Sequence, residues 1–207
     1  MAHGFLLLRF PLLVIQDVLS HMNPHEIMTL AQIPSSTTRG ILKQCTRQWG
    51  CEVDLSIMGY LSFSISWKDD VFDFRISIHQ ENHGYIKTRK TGTGSFHHEM
   101  YFYGDDKLET YRELIELAKE CMNAEITSLF FRLDKFPEKI KEITDWVKSQ
   151  SSPITCVCVW RESEVKSKDV AYVFEQLHRG ALSLWIETEE DLLIPVPKEE
   201  MRRALSC

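Results

Sequence analysis

The chain has 207 residues, 43% of them hydrophobic and 26% charged, a balance that excludes an intrinsically disordered polymer. Thirty acidic residues against 24 basic ones leave a net charge of −6, the wrong sign for a surface that must neutralise nucleic-acid phosphates. The six cysteines (45, 51, 121, 156, 158 and 207) form no CxxC pair, and none of the three asparagines opens a glycosylation sequon. These features predict a reduced, intracellular protein, cytoplasmic or nuclear.

The apolar stretches 5–8 and 10–15 are split by Arg9 and followed by Gln16-Asp17. That pattern predicts a folded element rather than a signal peptide. No stretch reaches the roughly 18–20 apolar residues that a membrane span needs, so no membrane partner is expected. Ile15, Val18, Leu19 and Met22 recur at i, i+3, i+4 and i+7, one face of a helix. Asn23-Pro24-His25-Glu26 opens a second helix, with Asn as N-cap, Pro at the first helical position and Glu at the third. Pro34 stops it, and Ser35-Ser36-Thr37-Thr38 can cap a third whose apolar positions are Ile41, Leu42, Cys45 and Trp49. Three short helices are thus predicted over residues 10–49.

After Gly50 the period changes to two. Val53, Leu55 and Ile57 alternate, then Leu61, Phe63, Ile65 and Trp67, then Phe72, Phe74, Ile76 and Ile78. Alternating β-branched and aromatic residues predict strands, with Lys68-Asp69-Asp70 as a turn and further strands over 85–89 and 96–103. A helical stripe follows at Leu108, Tyr111, Leu114, Ile115, Ala118 and Met122.

The last third repeats itself. Ile126-x-x-Leu129-x-Phe131 matches Ile154-x-x-Val157-x-Val159 at an offset of 28 residues, and Leu184-x-Ile186 lies 27 beyond Val157. Each strand-like triplet precedes a helix-like stretch (Ile140, Ile143, Trp146, Val147; then Val170, Val173, Phe174, Leu177). A strand and helix every 20–29 residues is the signature of a leucine-rich-repeat-like stack. The strands 126–132, 154–160 and 182–187 are expected side by side and parallel, with helices on the opposite side.

Signals of chemistry are sparse. Lys90-Thr91-Gly92-Thr93-Gly94-Ser95 lacks the lysine that precedes the hydroxyl residue in a phosphate-binding loop, and predicts a hairpin connection. His97 and His98 are neighbours in a strand, so their side chains point to opposite faces and do not share a metal. Cys156 and Cys158 share a face but lack a second pair, and are expected to be small apolar fillers. With no nucleophile signature, the chain is expected not to be an enzyme and to use no cofactor.

Phe10-Pro11-x-x-Val14-Ile15-x-x-Val18-Leu19-x-x-Met22-Asn23-Pro24-x-Glu26-Ile27-x-x-Leu30 resembles the F-box, preceded by a lead-in, Phe5-Leu6-Leu7-Leu8-Arg9, like that of nematode F-box families. Residues 125–187, including the Asp145-Trp146-Val147 step, resemble the type-2 F-box-associated domain of the same families. Phe10 stands where the family usually has Leu, and Ile33-Pro34-Ser35-Ser36 replaces a Ser-Lys-Arg stretch. The resemblance implies a substrate-receptor subunit of an SCF-type cullin-RING ubiquitin ligase. It would dock on the Skp adaptor, and through it on a cullin scaffold, by Phe10, Pro11, Ile15, Val18, Leu19, Met22, Pro24, Ile27 and Leu30. About 40 residues cannot bury so many apolar side chains alone, which leaves that face for a partner. The alternative is a degenerate or adaptor-independent protein-interaction module.

The expected fold is α+β: a three-helix F-box over 5–49, a β-rich region ending in a helix over 50–123, and a repeat-like, truncated F-box-associated domain over 124–207. Alternation along the repeat strands turns Phe130, Arg132, Cys158, Trp160, Trp185 and Glu187 outward. Phe130, Arg132, Trp160, Trp185 and Glu187 are the expected substrate-binding residues, because clustered aromatics supply large contact area.

Overall fold

The computed structural model describes residues 10–92, 94–150, 154–160 and 165–177, and the backbone of 181–184. The lead-in 5–9, Ile186, and the expected substrate residues Trp185 and Glu187 lie outside the described residues. The chain is mixed α+β, as expected. Among the described residues, no helix is long and apolar enough to cross a membrane.

Two compact units emerge. The first comprises residues 1–53 and 61–125, the second 54–60 and 126–207. Residues 10–49 belong to the same unit as residues 61–125.

In the first unit, α1 (Leu12–Ser20) starts at Pro11, whose carbonyl accepts from Val14 N at 2.9 Å and Ile15 N at 3.2 Å. The capping box read from the sequence opens α2 (Pro24–Ala31): Asn23 Oδ1 accepts from Glu26 N at 3.0 Å, and Glu26 Oε2 accepts from Asn23 N at 2.8 Å. Ser35 caps α3 (Ser36–Thr46) by accepting from Thr38 N. The buried positions of α3 are Thr38, Leu42 and Thr46, not the predicted Ile41, Cys45 and Trp49. The reason is polar: Thr46 Oγ1 is matched to the Cys121 carbonyl at 2.7 Å, and a satisfied threonine is cheap to bury. Trp49 lies past the helix and packs at 4.6 Å on Trp67.

The sheet of this unit runs in the order β4-β5-β3-β2. Strand β2 (Leu61–Trp67) pairs antiparallel with β3 (Asp70–Ser77) through the predicted turn, where Lys68 takes φ +56°. Strand β3 pairs parallel with β5 (Phe96–Tyr103), which pairs antiparallel with β4 (Ile86–Lys90). The Gly-rich segment is the hairpin connection expected, closed by Thr91 N donating to Ser95 O. Helix α4 (Lys107–Met122) starts at Asp106, which accepts from the Leu108 and Glu109 amides, and ends at Asn123 in the left-handed region, φ +50°.

Helices α2 and α4 cover one face of the sheet. Tyr111 Oη donates to Ser62 O at 3.0 Å, and Phe63 stacks on Phe74 at 4.7 Å. Each such fully buried side chain contributes about 1.5–3 kcal/mol of transfer free energy. The three N-terminal helices are thus part of a larger core: α1 packs on α3, α3 and α2 on α4, and α2 on β3.

In the second unit, β1 (Glu52–Ile57, which begins in the first), β6 (Glu125–Arg132), β7 (Cys156–Trp160) and β8 (Ala181–Leu184) lie in that order. Strands β6, β7 and β8 are parallel, as the repeat predicts. Leu129 faces Val157 and Phe131 faces Val159, the 28-residue register. The next register is corrected: Leu184 lies opposite Val159 and Leu182 opposite Val157, two residues from the 27-residue match. Helices α5 (Ile140–Ser149) and α6 (Ser167–Leu177) provide the crossovers and pack on each other, burying Ile140, Ile143, Val147, Val170, Val173 and Leu177. Parallel strands need such crossovers, and helices can supply them.

Candidate functional site

The motif residues of the N-terminal helices divide. Ile15, Leu19, Pro24 and Ile27 are buried inside the first unit, Phe10, Pro11 and Val18 face outward, and Met22 and Leu30 are half-buried. The premise that these aliphatics have no core of their own is corrected, because α2 sits on β3 and α4. An apolar stripe nevertheless stays outside: Phe10 is 54% exposed, Leu13 78%, Val14 43% and Val18 37%. Leu13 and Phe10 are its most exposed members. Of the stripe led by Ile15 only Ile15 and Leu19 point inward, and the i, i+4, i+8 set Phe10, Val14, Val18 was the signal for the outward side.

A polar network occupies the sheet face opposite the helices. It draws Asp73 and Arg75 from β3, His97, Glu99 and Tyr101 from β5, and Arg89 from β4. Arg75 Nη2 lies 3.1 Å from both Asp73 Oδ2 and Glu99 Oε1, and Arg89 Nη2 lies 3.0 Å from Glu99 Oε1. Tyr101 Oη donates to Glu99 Oε2 at 2.8 Å. His97 Nδ1 accepts from Arg89, and its Nε2 is 3.0 Å from Asp73 Oδ2 but poorly angled for a hydrogen bond. Burial pushes the Glu99 carboxyl up, but Tyr101, Arg75, Arg89 and Lys87 outweigh it and hold it below the usual carboxylate range.

Asp73, His97 and Glu99 bring their ligand atoms within 4.8 Å of one another, a spacing that could hold a metal ion. The two guanidiniums already balance the two carboxylate charges, so a cation would have to displace them. The network is a packed ion cluster. Its sequence signal was the polar half of the alternation: Asp73-x-Arg75, Lys87-x-Arg89 and His97-x-Glu99-x-Tyr101.

On the helix-covered face, His25 of α2 is buried edge-on against Phe72 (5.1 Å) and Phe74 (4.8 Å), with Nε2 3.1 Å from Asp73 O. Burial lowers its pKa to about 4, against the raising effect of the Asp73 carbonyl and with a small further lowering from His98. The ring is therefore neutral at pH 7, with the proton on Nε2 facing that carbonyl. His98 itself stacks on Phe72 at 4.6 Å, on the side opposite His97, as alternation requires.

In the second unit, Leu129, Phe131, Val157 and Val159 point into the core, as expected. Phe130 and Trp160 are half-buried and stack at 5.8 Å. Arg132 is opposite Trp160 and its Nε lies 3.4 Å from the Asp134 carboxylate. Cys158, expected to face outward, is buried, and burial with the neighbouring Cys156 thiol pushes its pKa up to about 11. It is thus an unreactive filler. The register places Ser183, not Trp185, opposite Cys158.

A groove of about 490 Å³ lies beside α4, lined by Gln32, Arg39, His83, Glu113 and Glu120 among others. Thr110 on its wall donates its hydroxyl to the Asp106 carbonyl at 2.8 Å. Compared with protein-family models, curated proteins and solved structures, the chain matches none.

Proposed function

We propose that the chain is a non-enzymatic substrate receptor of an SCF-type ubiquitin ligase, an intracellular F-box protein whose N-terminal helices hold the Skp adaptor and, through it, the cullin. The observation that carries the reading is the outward stripe of Phe10, Leu13, Val14 and Val18 beside the capped Asn23-Pro24 turn. Apolar side chains gathered on one helix face gain free energy only when a partner covers them. The parallel strand–helix array of the second unit then acts as a short leucine-rich-repeat-like stack, and its Phe130–Trp160 pair with Arg132 contacts the protein substrate.

A second reading, an adaptor-independent interaction module, is favoured by the burial of Ile15, Leu19, Pro24 and Ile27, which leaves fewer motif residues for an adaptor. Co-expression with a Skp adaptor separates the two. The wild-type chain is expected to retain the adaptor through purification. The double variant Val14→Asp, Val18→Asp should lose it with an unchanged melting curve, since neither side chain is in the core. A folded wild-type chain that never retains the adaptor defeats the receptor reading and leaves the second.

A further inference from the structure

We propose that the outer edge of β4 is a peptide-binding site that takes an extended acidic segment of a protein partner by strand addition. All five residues of β4 are exposed, and β4 ends the strand order of its sheet. Among the described residues, no strand pairs with its outer side.

The hydrogen-bond parity is set at both ends of the hairpin. Tyr101 N donates to Tyr85 O, and Thr91 N donates to Ser95 O. With Lys87 opposite Glu99 and Arg89 opposite His97, the odd-numbered positions bond to β5. The amides and carbonyls of Ile86, Thr88 and Lys90 therefore point away from the sheet. An extended peptide finds there a ladder already in strand geometry, which is the mode of β-augmentation.

Charge decides which peptide. Ile86-Lys87-Thr88-Arg89-Lys90 carries three cations and no acid in a chain of net charge −6. Arg89 is balanced within the ion cluster, held by Glu99 and His97, and Lys87 and Lys90 leave the strand with a positive excess. Lysine-rich edges commonly serve to repel identical edges, and that same repulsion excludes a second copy of β4 as the occupant. It favours carboxylates. Tyr85, Ile86 and Phe96 are 56%, 49% and 43% exposed and flank the edge with apolar surface. The segment that fits alternates acidic residues, opposite Lys87 and Arg89, with apolar ones, opposite Ile86. The site stands whether or not the N-terminal helices hold an adaptor.

The test is fluorescence polarisation of the full chain with a labelled peptide of alternating glutamate and valine. Saturable binding that weakens with added salt is expected, with a lysine–valine peptide failing to bind. Thr88→Pro removes one outward amide without touching a backbone bond to β5, and should weaken binding at least about tenfold relative to Thr88→Val, which loses the same Thr88 Oγ1–His98 Nδ1 contact but keeps the amide. Lys87→Gln with Lys90→Gln should do the same. Of two peptides N-methylated on alternate residues, one should lose binding and the other keep it, which tests the ladder even if Thr88→Pro fails to fold. No saturable binding, equal binding of the lysine–valine peptide, or equal binding of both methylated peptides overturns the proposal.

Discussion

Acidification from pH 7.5 to pH 5 should destabilise the protein by about 2 kcal/mol through His25 alone, and His25→Gln should abolish that part of the loss. An imidazole in the unfolded chain takes up its proton near 6.5, whereas the ring held between Phe72, Phe74 and the Asp73 carbonyl waits until about 4. Between those values the unfolded state binds more protons, so stability falls as the pH falls. The contribution is full above 6.5 and used up below about 4. Each unit of the difference is worth about 1.4 kcal/mol, of which roughly one and a half units have been spent by pH 5. His98 is the titratable neighbour on the adjoining strand, and its charge acts in the same direction. Glutamine can still donate to the Asp73 carbonyl but does not titrate, so its cost, about 1–3 kcal/mol of lost ring packing, is the same at both pH values. The assay is urea unfolding followed by tryptophan fluorescence, for both proteins at both pH values. A double difference below about 0.5 kcal/mol would refute the reasoning, because it would mean the ring is hydrated and α2 does not seal it against β3.

Glu99→Gln should cost about 1–3 kcal/mol at pH 7, between the exposed-pair and buried-pair ranges because Arg89 is largely in solvent. Since the folded carboxyl titrates below its ordinary 4.5, the wild-type advantage is full above that pH and shrinks below it, which chemical denaturation at pH 7 and pH 3.5 would show. Asn123→Val should lower stability by about 1–2 kcal/mol and Asn123→Gly should be neutral or slightly stabilising, read from thermal melts, because a branched side chain resists the left-handed φ of +50° that ends α4.

Local chemistry made much of this chain legible without coordinates. The Asn23–Glu26 capping box, the Lys68 turn, the Thr91–Ser95 hairpin connection and the 28-residue spacing of β6 and β7 depend on neighbours in sequence or on a repeated unit, so periodicity and cap chemistry sufficed to place them. Long-range packing decided the rest. Ile27 reads as part of a free aliphatic face only until α4 and β3, more than 40 residues away, are brought against α2, while Ile15 and Leu19 are buried where α1 packs on α3. Thr46 earns its buried place from the carbonyl of Cys121, and His25 its neutral ring from Asp73 and two phenylalanines. The ion cluster of Asp73, Arg75, Arg89, His97 and Glu99 exists because β3 and β5 pair in parallel while β4 runs antiparallel. Alternation shows which side chains share a face, but pairing partner and register are global properties, set by which pairing buries the most apolar surface while leaving no charge unmatched.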